Sequence, residues 1–368
     1  MMKILHFYPK ADDMITQYVT MLSSAMGSYA DVQTSHSLYS FRKTLKKQKP
    51  DIVHIHGCWH LSIAIATREA INNGARVVLS PHGQLEPWII HRKYWQEKLP
   101  KMLLFQKRTV KSAYALISMG RMEEGCLLRM KINPRIETVL NALITESITE
   151  SDMARKIYDI YQKVLDSNVV ELMEDKTYDA LSALIKVGLT GDTHWLTNEE
   201  YNTCKDIDDN EWRKILIYAY REKISETIDR GIANLYLSHP DIQPASIPCY
   251  LPAKYIEPDS LAKALGNIQD NPTDYILSAI KALHKLTLAR KLSISNIIEF
   301  AYQLRTSEIN EDKAQETLAE KHLIKFTRRL MQVLADSTGL EEGFMIVSPL
   351  NDRKTYRIKT LIDKHLKI

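Results

Sequence analysis

Two short stretches hold the residues best suited to chemistry. Residues 51–60 read Asp-Ile-Val-His-Ile-His-Gly-Cys-Trp-His, and residues 77–88 read Val-Val-Leu-Ser-Pro-His-Gly-Gln-Leu-Glu-Pro-Trp. Each starts as an apolar run and ends in His and Gly. An imidazole can give or take a hydrogen bond near neutral pH, so His82 suits a sugar hydroxyl or a phosphate oxygen. A glycine beside it lets a ligand approach the backbone. Trp59 offers a flat apolar face on which a ring could stack. Other chemistries find no support. There is no Gly-x-Ser-x-Gly elbow, Walker motif or Gly-x-Gly-x-x-Gly fingerprint. The acidic run 206–211 begins like a calcium loop but lacks the central Gly and has Ile217 at the twelfth position. It reads as a turn and N-cap before a helix.

Alternating elements must position these residues. Strand signals fall at Lys3–Tyr8, Asp31–Ser35, Asp51–His56, Arg76–Ser80, Tyr114–Ser118 and Ile136–Leu140. Helical patterns fill the gaps near 12–26, 40–48, 61–73, 95–112 and 120–131. Short Val/Ile/Leu-rich strands between helices imply an α/β fold, a doubly wound, Rossmann-like parallel sheet over residues 1–145. Ligands of such sheets bind beyond the carboxyl ends of the strands. His56, Gly57, Trp59, His60, His82, Gly83 and Glu86 all follow or end such strands.

Beyond residue 145 the rhythm changes. Residues 151–187, 211–237 and 259–290 carry apolar residues at helical spacing, and Trp212–Leu237 reads as one long helix. A Pro-rich stretch from Pro240 to Pro258 interrupts the helices. Patterns at 293–306, 311–319 and 321–336 precede Phe344–Ser348 and Thr355–Lys359, which read as a β-hairpin with a polar tip. Three helices and a hairpin follow the order of a winged helix; a small α+β cap that completes the helical domain is the other reading. The expected division is a Rossmann domain at 1–145, an acidic helical domain at 146–284, and a helical segment with terminal hairpin at 285–368.

Charge follows the same division. The overall net charge is +4. Residues 1–145 hold 20 Lys+Arg against 10 Asp+Glu, residues 146–284 hold 14 against 24, and residues 285–368 hold 15 against 11. The helix at 91–111 mixes its cations with Trp95 and Phe105, so contact with an anionic membrane is one expectation and an ordinary sheet-covering helix the other. No apolar run reaches the roughly 18–20 residues of a membrane span. The N-terminus reads as a strand rather than a signal peptide. The four cysteines form no CxxC pair, which fits a reducing compartment. The expected location is cytoplasmic, with peripheral contact at the inner face of the membrane.

Pro50-Asp51-Ile52-Val53-His54-Ile55-His56-Gly57 and Ser80-Pro81-His82-Gly83-Gln84-Leu85-Glu86-Pro87-Trp88 together resemble the N-terminal domain of GT-B glycosyltransferases, particularly family 4. The basic helix, the strand Tyr114–Ser118, the helix with Glu123 and Glu124, and Val139-Leu140-Asn141-Ala142 follow in the family's order. The resemblance covers residues 1–145. It implies a sugar or glycan acceptor, lipid-linked in one version, and a nucleotide-sugar donor, with no other cofactor or metal evident. It places His82 against the acceptor or transferred sugar, with His56, Gly57, Trp59, His60, Gly83, Glu86 and Asn141 lining the site.

Three departures accompany it. Pro9-Lys10-Ala11-Asp12-Asp13 stands where the family has a Gly-rich turn, Asn141-Ala142 stands where it has Asn-Gly, and no donor-domain motif follows residue 146. The leading expectation is a divergent glycosyltransferase-like protein of cell-surface polysaccharide or glycan assembly. If active, it moves a sugar from an activated donor to a hydroxyl. The alternative is a non-catalytic glycan- or partner-binding scaffold. A distant third is a nucleic-acid-binding regulator using Arg353, Lys354 and Arg357.

Overall fold

The computed structural model describes residues 1–9, 13–194, 196–252, 255, 258, 260–261, 265 and 271–367. The expected glycine-free turn after the first strand falls largely on residues 10–12, outside the described residues, as does much of the expected helix start at 259–271. The chain divides into two compact units, Met1–Ser167 and Asn168–Ile368.

The first unit is built on a six-stranded parallel sheet. Its strands are β1 (Met2–Phe7), β2 (Ala30–Ser35), β3 (Ile52–His56), β4 (Arg76–Ser80), β5 (Ala115–Ser118) and β6 (Ile136–Thr138), in the order β2-β1-β3-β4-β5-β6. Every residue of β3, β4 and β5 is buried, as expected of a parallel sheet covered on both faces. The order reverses between β1 and β3, which makes that crevice the topological switch point. Register sets His6 beside His54 and His56 beside Ser80.

Helices α1 (Asp13–Met26), α2 (Leu38–Gln48) and α3 (Leu61–Asn72) connect the first four strands. Ser37 caps α2 by accepting from the Ser40 amide, and Lys49 ends it in a left-handed conformation at φ 47°. After β4 comes the short helix α4 (Pro87–His91). The expected helix at 95–112 is present but uneven. It runs as a π-helical turn at Tyr94–Lys98, α5 (Leu99–Lys101), a second π-helical turn at Met102–Gln106, and α6 (Lys107–Ser112). Pro100 removes one amide donor inside this run, and widened turns are a usual accommodation. Helices α7 (Arg121–Met130) and α8 (Glu150–Asp166) complete the unit. The sequence reading gives α8 to the acidic segment. It packs instead on α1 and buries Met153, Ile157, Tyr161 and Val164. The unit therefore extends past residue 145 to Ser167.

The second unit is helical, with no strand among its described residues. It forms one unit rather than the two segments expected. The long helix expected at 211–237 is two, α11 (Asp209–Arg221) and α12 (Ser225–Asn234), after α9 (Asp175–Thr190) and α10 (Asn198–Lys205). Lys223 lies between them in the left-handed region at φ 56°. The break turns α12 against α9 closely enough that a Cβ at Gly188 would strike the Thr227 carbonyl, and one at Gly231 the Leu184 carbonyl. Asp208 caps α11 by accepting from the amides of Asn210 and Glu211, so the acidic run is an N-cap turn.

Helices at Pro272–Ala289, Ile294–Thr306, Glu311–Glu320 and Ile324–Thr338 lie near their expected places. The C-terminal hairpin does not form. Arg353–Asp363 is an α-helix, and residues 345–348 form no strand. Asp352 accepts from the amides of Lys354 and Thr355 and pairs with Arg329 at 2.7 Å. The Arg329 guanidinium holds the Asp352 carboxyl well below its usual range. Thr355, Ile358 and Ile362 then recur on one buried face at helical spacing. A capping signal outweighed β-propensity here, and the winged-helix order fails with the hairpin.

Candidate functional site

A pocket of about 300 Å³ opens beyond the carboxyl ends of β4, β5 and β6. Its polar wall is His82, Gly83, Glu86, Gly120, Glu123 and Asn141, and its apolar wall includes Ile15, Met119 and Ile144. The wall follows from the topology. Parallel strands deliver their following turns to one edge, so residues after β4, β5 and β6 converge although far apart in sequence. His82 and Gly83 both lie in the left-handed region, at φ 53° and 74°. For His82, which carries a Cβ, this costs about 1–2 kcal/mol. The double turn swings the chain off β4 and brings the Gly83 amide to Glu123.

Glu123 organises this edge. Its carboxylate accepts from the Gly83 amide at 2.6 Å and the Met119 amide at 2.7 Å. It also sits in the first turn of α7, where a negative charge is favoured. Burial raises its pKa, opposed by the two backbone amides. One side chain thus ties the turn after β4 to the turn after β5.

Behind the pocket lies a set of buried imidazoles. His6, His54 and His56 have no solvent exposure. His6 Nδ1 is 2.9 Å from His56 Nε2, and His56 Nδ1 is 3.0 Å from His82 Nε2. His54 is held separately, by Tyr161 Oη at 2.5 Å and Ser80 Oγ at 2.7 Å. Burial lowers the His6 pKa to about 3 and holds His54 and His56 well below their usual value. All three are neutral at pH 7.

The sequence-expected residues thus divide. His82, Gly83, Glu86 and Asn141 meet at the pocket. His56 stands behind it, buried, in contact with His82. Gly57 turns the chain at φ 87°, and His60 is exposed at the start of α3; neither lines the pocket. Trp59 is only 5% exposed and belongs to the core, so it presents no face to a sugar. Its indole Nε1 donates to the Gln84 carbonyl, its amide donates to Gln106 Oε1, and Lys98 lies over its ring. Trp88 is 66% exposed, with Nε1 donating to Glu86 Oε2 at 2.6 Å.

Sequence reading missed His6, Glu123 as an organiser, Tyr161 and Gln84. His6 carried a usable signal, since a histidine inside an apolar strand needs a partner. Tyr161 carried none, because only the packing of α8 brings it to β3.

Residues 27–147 match the family model described as Glycosyltransferase Family 4. The first unit is therefore glycosyltransferase family 4-like, as the two strand-end motifs indicate, and the match ends before the helical unit begins. No curated protein and no solved structure matches the chain.

Proposed function

We propose that the first unit receives a sugar hydroxyl at the His82 pocket and that the chain acts in glycosyl transfer. The carrying observation is the convergence of His82, Glu86, Glu123 and Asn141 on one concave site beyond the strand ends. Hydroxyl-rich ligands need several placed donors and acceptors within a partly apolar wall, and this pocket offers both. Trp88, exposed and hydrogen-bonded to the pocket residue Glu86, offers a flat face beside the pocket that the buried Trp59 does not. In transfer to a hydroxyl, charge develops on the donor's leaving group and must be met by placed cations or amides. Those groups are not evident in the helical unit's sequence, and its described residues form no second sheet.

That last observation favours a second reading, in which the family 4-like unit binds glycan without turnover. The purified chain, offered a panel of nucleotide sugars with oligosaccharide acceptors, separates the two. Transfer or donor hydrolysis that disappears in His82→Ala supports the enzyme. Binding that weakens about tenfold in Trp88→Ala (~1.4 kcal/mol) without turnover supports the scaffold. Neither turnover nor binding across the panel sinks both. The regulator reading loses its hairpin, because Arg353–Asp363 is a helix.

We assign the same unit a place at an anionic membrane. Trp95, Leu103 and Leu104 are 78%, 74% and 79% exposed along the uneven helix. Between Trp88 and Arg108 stand six Lys or Arg and one acid, Glu97. Aromatic and leucine side chains among cations suit a lipid interface carrying negative charge. A lipid-linked acceptor and a position on the cytoplasmic face would accord with this. Among the described residues no helix is long and apolar enough to cross a membrane. Co-sedimentation with phosphatidylglycerol vesicles, lost in the Leu103→Ser, Leu104→Ser double variant and at high salt, is the expected outcome. Equal binding to neutral vesicles would remove the assignment.

A further inference from the structure

The pocket beyond the strand ends has two kinds of wall, and each asks something different of a ligand. Its inner wall holds polar groups that still have a bond to make. Asn141 is buried, and its Oδ1 accepts from the Leu143 amide at 3.0 Å. A backbone N–H meets the oxygen of a side-chain amide and not its nitrogen, so this contact fixes the orientation of the group. Asn141 Nδ2 is left without a partner among the described residues. Glu86 is also buried. Its Oε2 accepts from Trp88 Nε1, while its Oε1 stands over Gly83, 3.7 Å from the place a Cβ would take there. No donor among the described residues reaches Oε1. One placed donor and one placed acceptor thus line the same cavity.

The rim is apolar. Met14, Met122 and Ile144 line the pocket and are 53%, 71% and 70% exposed. They come from the start of α1, the first turn of α7 and the turn after β6. Three separate elements therefore place a large apolar side chain at one opening. Single exposed apolar residues are ordinary, but a group of them around a concavity marks a contact surface. The small apolar faces of a free oligosaccharide are met by a flat aromatic ring. Flexible methionines and an isoleucine suit an alkyl or prenyl chain.

Charge narrows the ligand further. Two carboxyl groups, Glu86 and Glu123, line the pocket, and among the described lining residues there is no Lys or Arg. A phosphate or carboxylate held there would face like charge.

We propose that the pocket takes a neutral glycoside carrying an apolar aglycone, with the sugar held by Glu86 Oε1 and Asn141 Nδ2 and the aglycone lying on Met14, Met122 and Ile144. This rests on reading the pocket as the site of a sugar hydroxyl, and it names the class of acceptor received there. One sugar hydroxyl donates to Glu86 Oε1, and another sugar oxygen accepts from Asn141 Nδ2. Methionine adapts to chains of differing shape, so the sugar is recognised closely and the chain loosely.

The test is calorimetric titration of the full chain with methyl, hexyl and octyl glycosides of glucose, galactose, mannose and N-acetylglucosamine, each below its micelle concentration. For the sugar that binds, the octyl glycoside is expected to bind about tenfold tighter than the hexyl, as two buried methylenes require. Met122→Ser with Ile144→Ser, both at exposed positions, should flatten that dependence on chain length. Asn141→Asp keeps the acceptor used by the Leu143 amide and removes the Nδ2 donor. It should weaken every member of the series about tenfold. Octyl glucuronide, which adds a carboxylate, should bind about tenfold more weakly than octyl glucoside.

Equal affinity for methyl and octyl glycosides overturns the proposal and leaves the sugar site standing. A chain-length dependence that survives the rim double variant places the alkyl chain elsewhere and also overturns it. Octanol bound as tightly as the octyl glycosides, or no binding by any member, removes the sugar reading of the pocket together with the proposal.

Discussion

Both units bury polar side chains, but to different ends. In the helical unit two buried carboxylates pair with side chains of the same unit. Glu222, with no exposure, meets His365 Nδ1 at 2.8 Å. Glu211 accepts from Thr177 Oγ1 at 2.5 Å and pairs with Lys214. These contacts join helices and lead to no described pocket. In the sheet unit the buried histidines form a row that ends at the pocket wall. Hydrogen-bonded buried polar groups help to specify a packing in either case, but of the groups named here only the histidine row reaches a pocket wall. The difference comes from architecture. A parallel sheet aims its strand ends at one edge, whereas packed helices have no common edge.

Acid should separate the units most sharply. His6, His54 and His56 are held neutral when folded, with His6 lowered to about 3 and the others well below their usual value. The unfolded chain takes up protons near pH 6.5 and the folded unit does not. Stability is therefore fully present above pH 6.5 and lost as pH falls toward the folded values. With three such groups the slope reaches about 4 kcal/mol per pH unit. The raised pKa of Glu123 opposes this in part. Amide hydrogen exchange at pH 7 and pH 5 should show protection lost in residues 1–167 and kept in 168–367. Equal loss in both units would break the contrast.

The next largest effect lies in the helical unit. Gly188→Ala drives a methyl into the Thr227 carbonyl, which cannot yield as a flexible side chain would. A loss of about 3 kcal/mol is expected in urea denaturation, confined by exchange to the second unit. An unchanged midpoint would mean that α9 and α12 do not meet so closely.

Glu123→Gln probes the sheet unit at its edge. A neutral amide can accept from one of the Gly83 and Met119 amides and opposes the other with its own N–H. We expect a loss of about 1–3 kcal/mol, with glycan binding at the pocket reduced alongside stability. Stability lost with binding unchanged would detach Glu123 from the site.

The smallest effect tests the C-terminal correction. Arg353 and Lys354 are exposed at the start of their helix. Replacing both with alanine should change stability by less than about 0.5 kcal/mol and leave the pocket unaffected. A large effect would restore a specific role to that end of the chain.

Much of the first unit was legible because its signals are local. Apolar runs such as Ile52–Ile55 and Val77–Leu79 can only be buried strands between helices, and their boundaries fall within about two residues of expectation. His82 and Gly83 were legible as site residues because a polar pair after a buried strand must emerge at the strand's end. Less local features were hidden. The break at Lys223 interrupts an apolar stripe that continues in register on either side, so periodicity passes over it. The C-terminal helix was hidden because Tyr356, Ile358 and Thr360 alternate like a strand, while the Asp352 cap that decides the matter also draws on Arg329, distant in sequence.

The sequence by itself determined the sheet, the helical character of the second unit, and which strand ends would carry polar residues. Short-range periodicity and residue chemistry suffice for those. Only the tertiary structure decided which candidates meet. It buried Trp59 and exposed Trp88, made Glu123 the tie between two turns, and set His6, His56 and His82 in a row. Those outcomes depend on strand order, register and the packing of α8, and each is fixed by contacts between residues far apart in the chain.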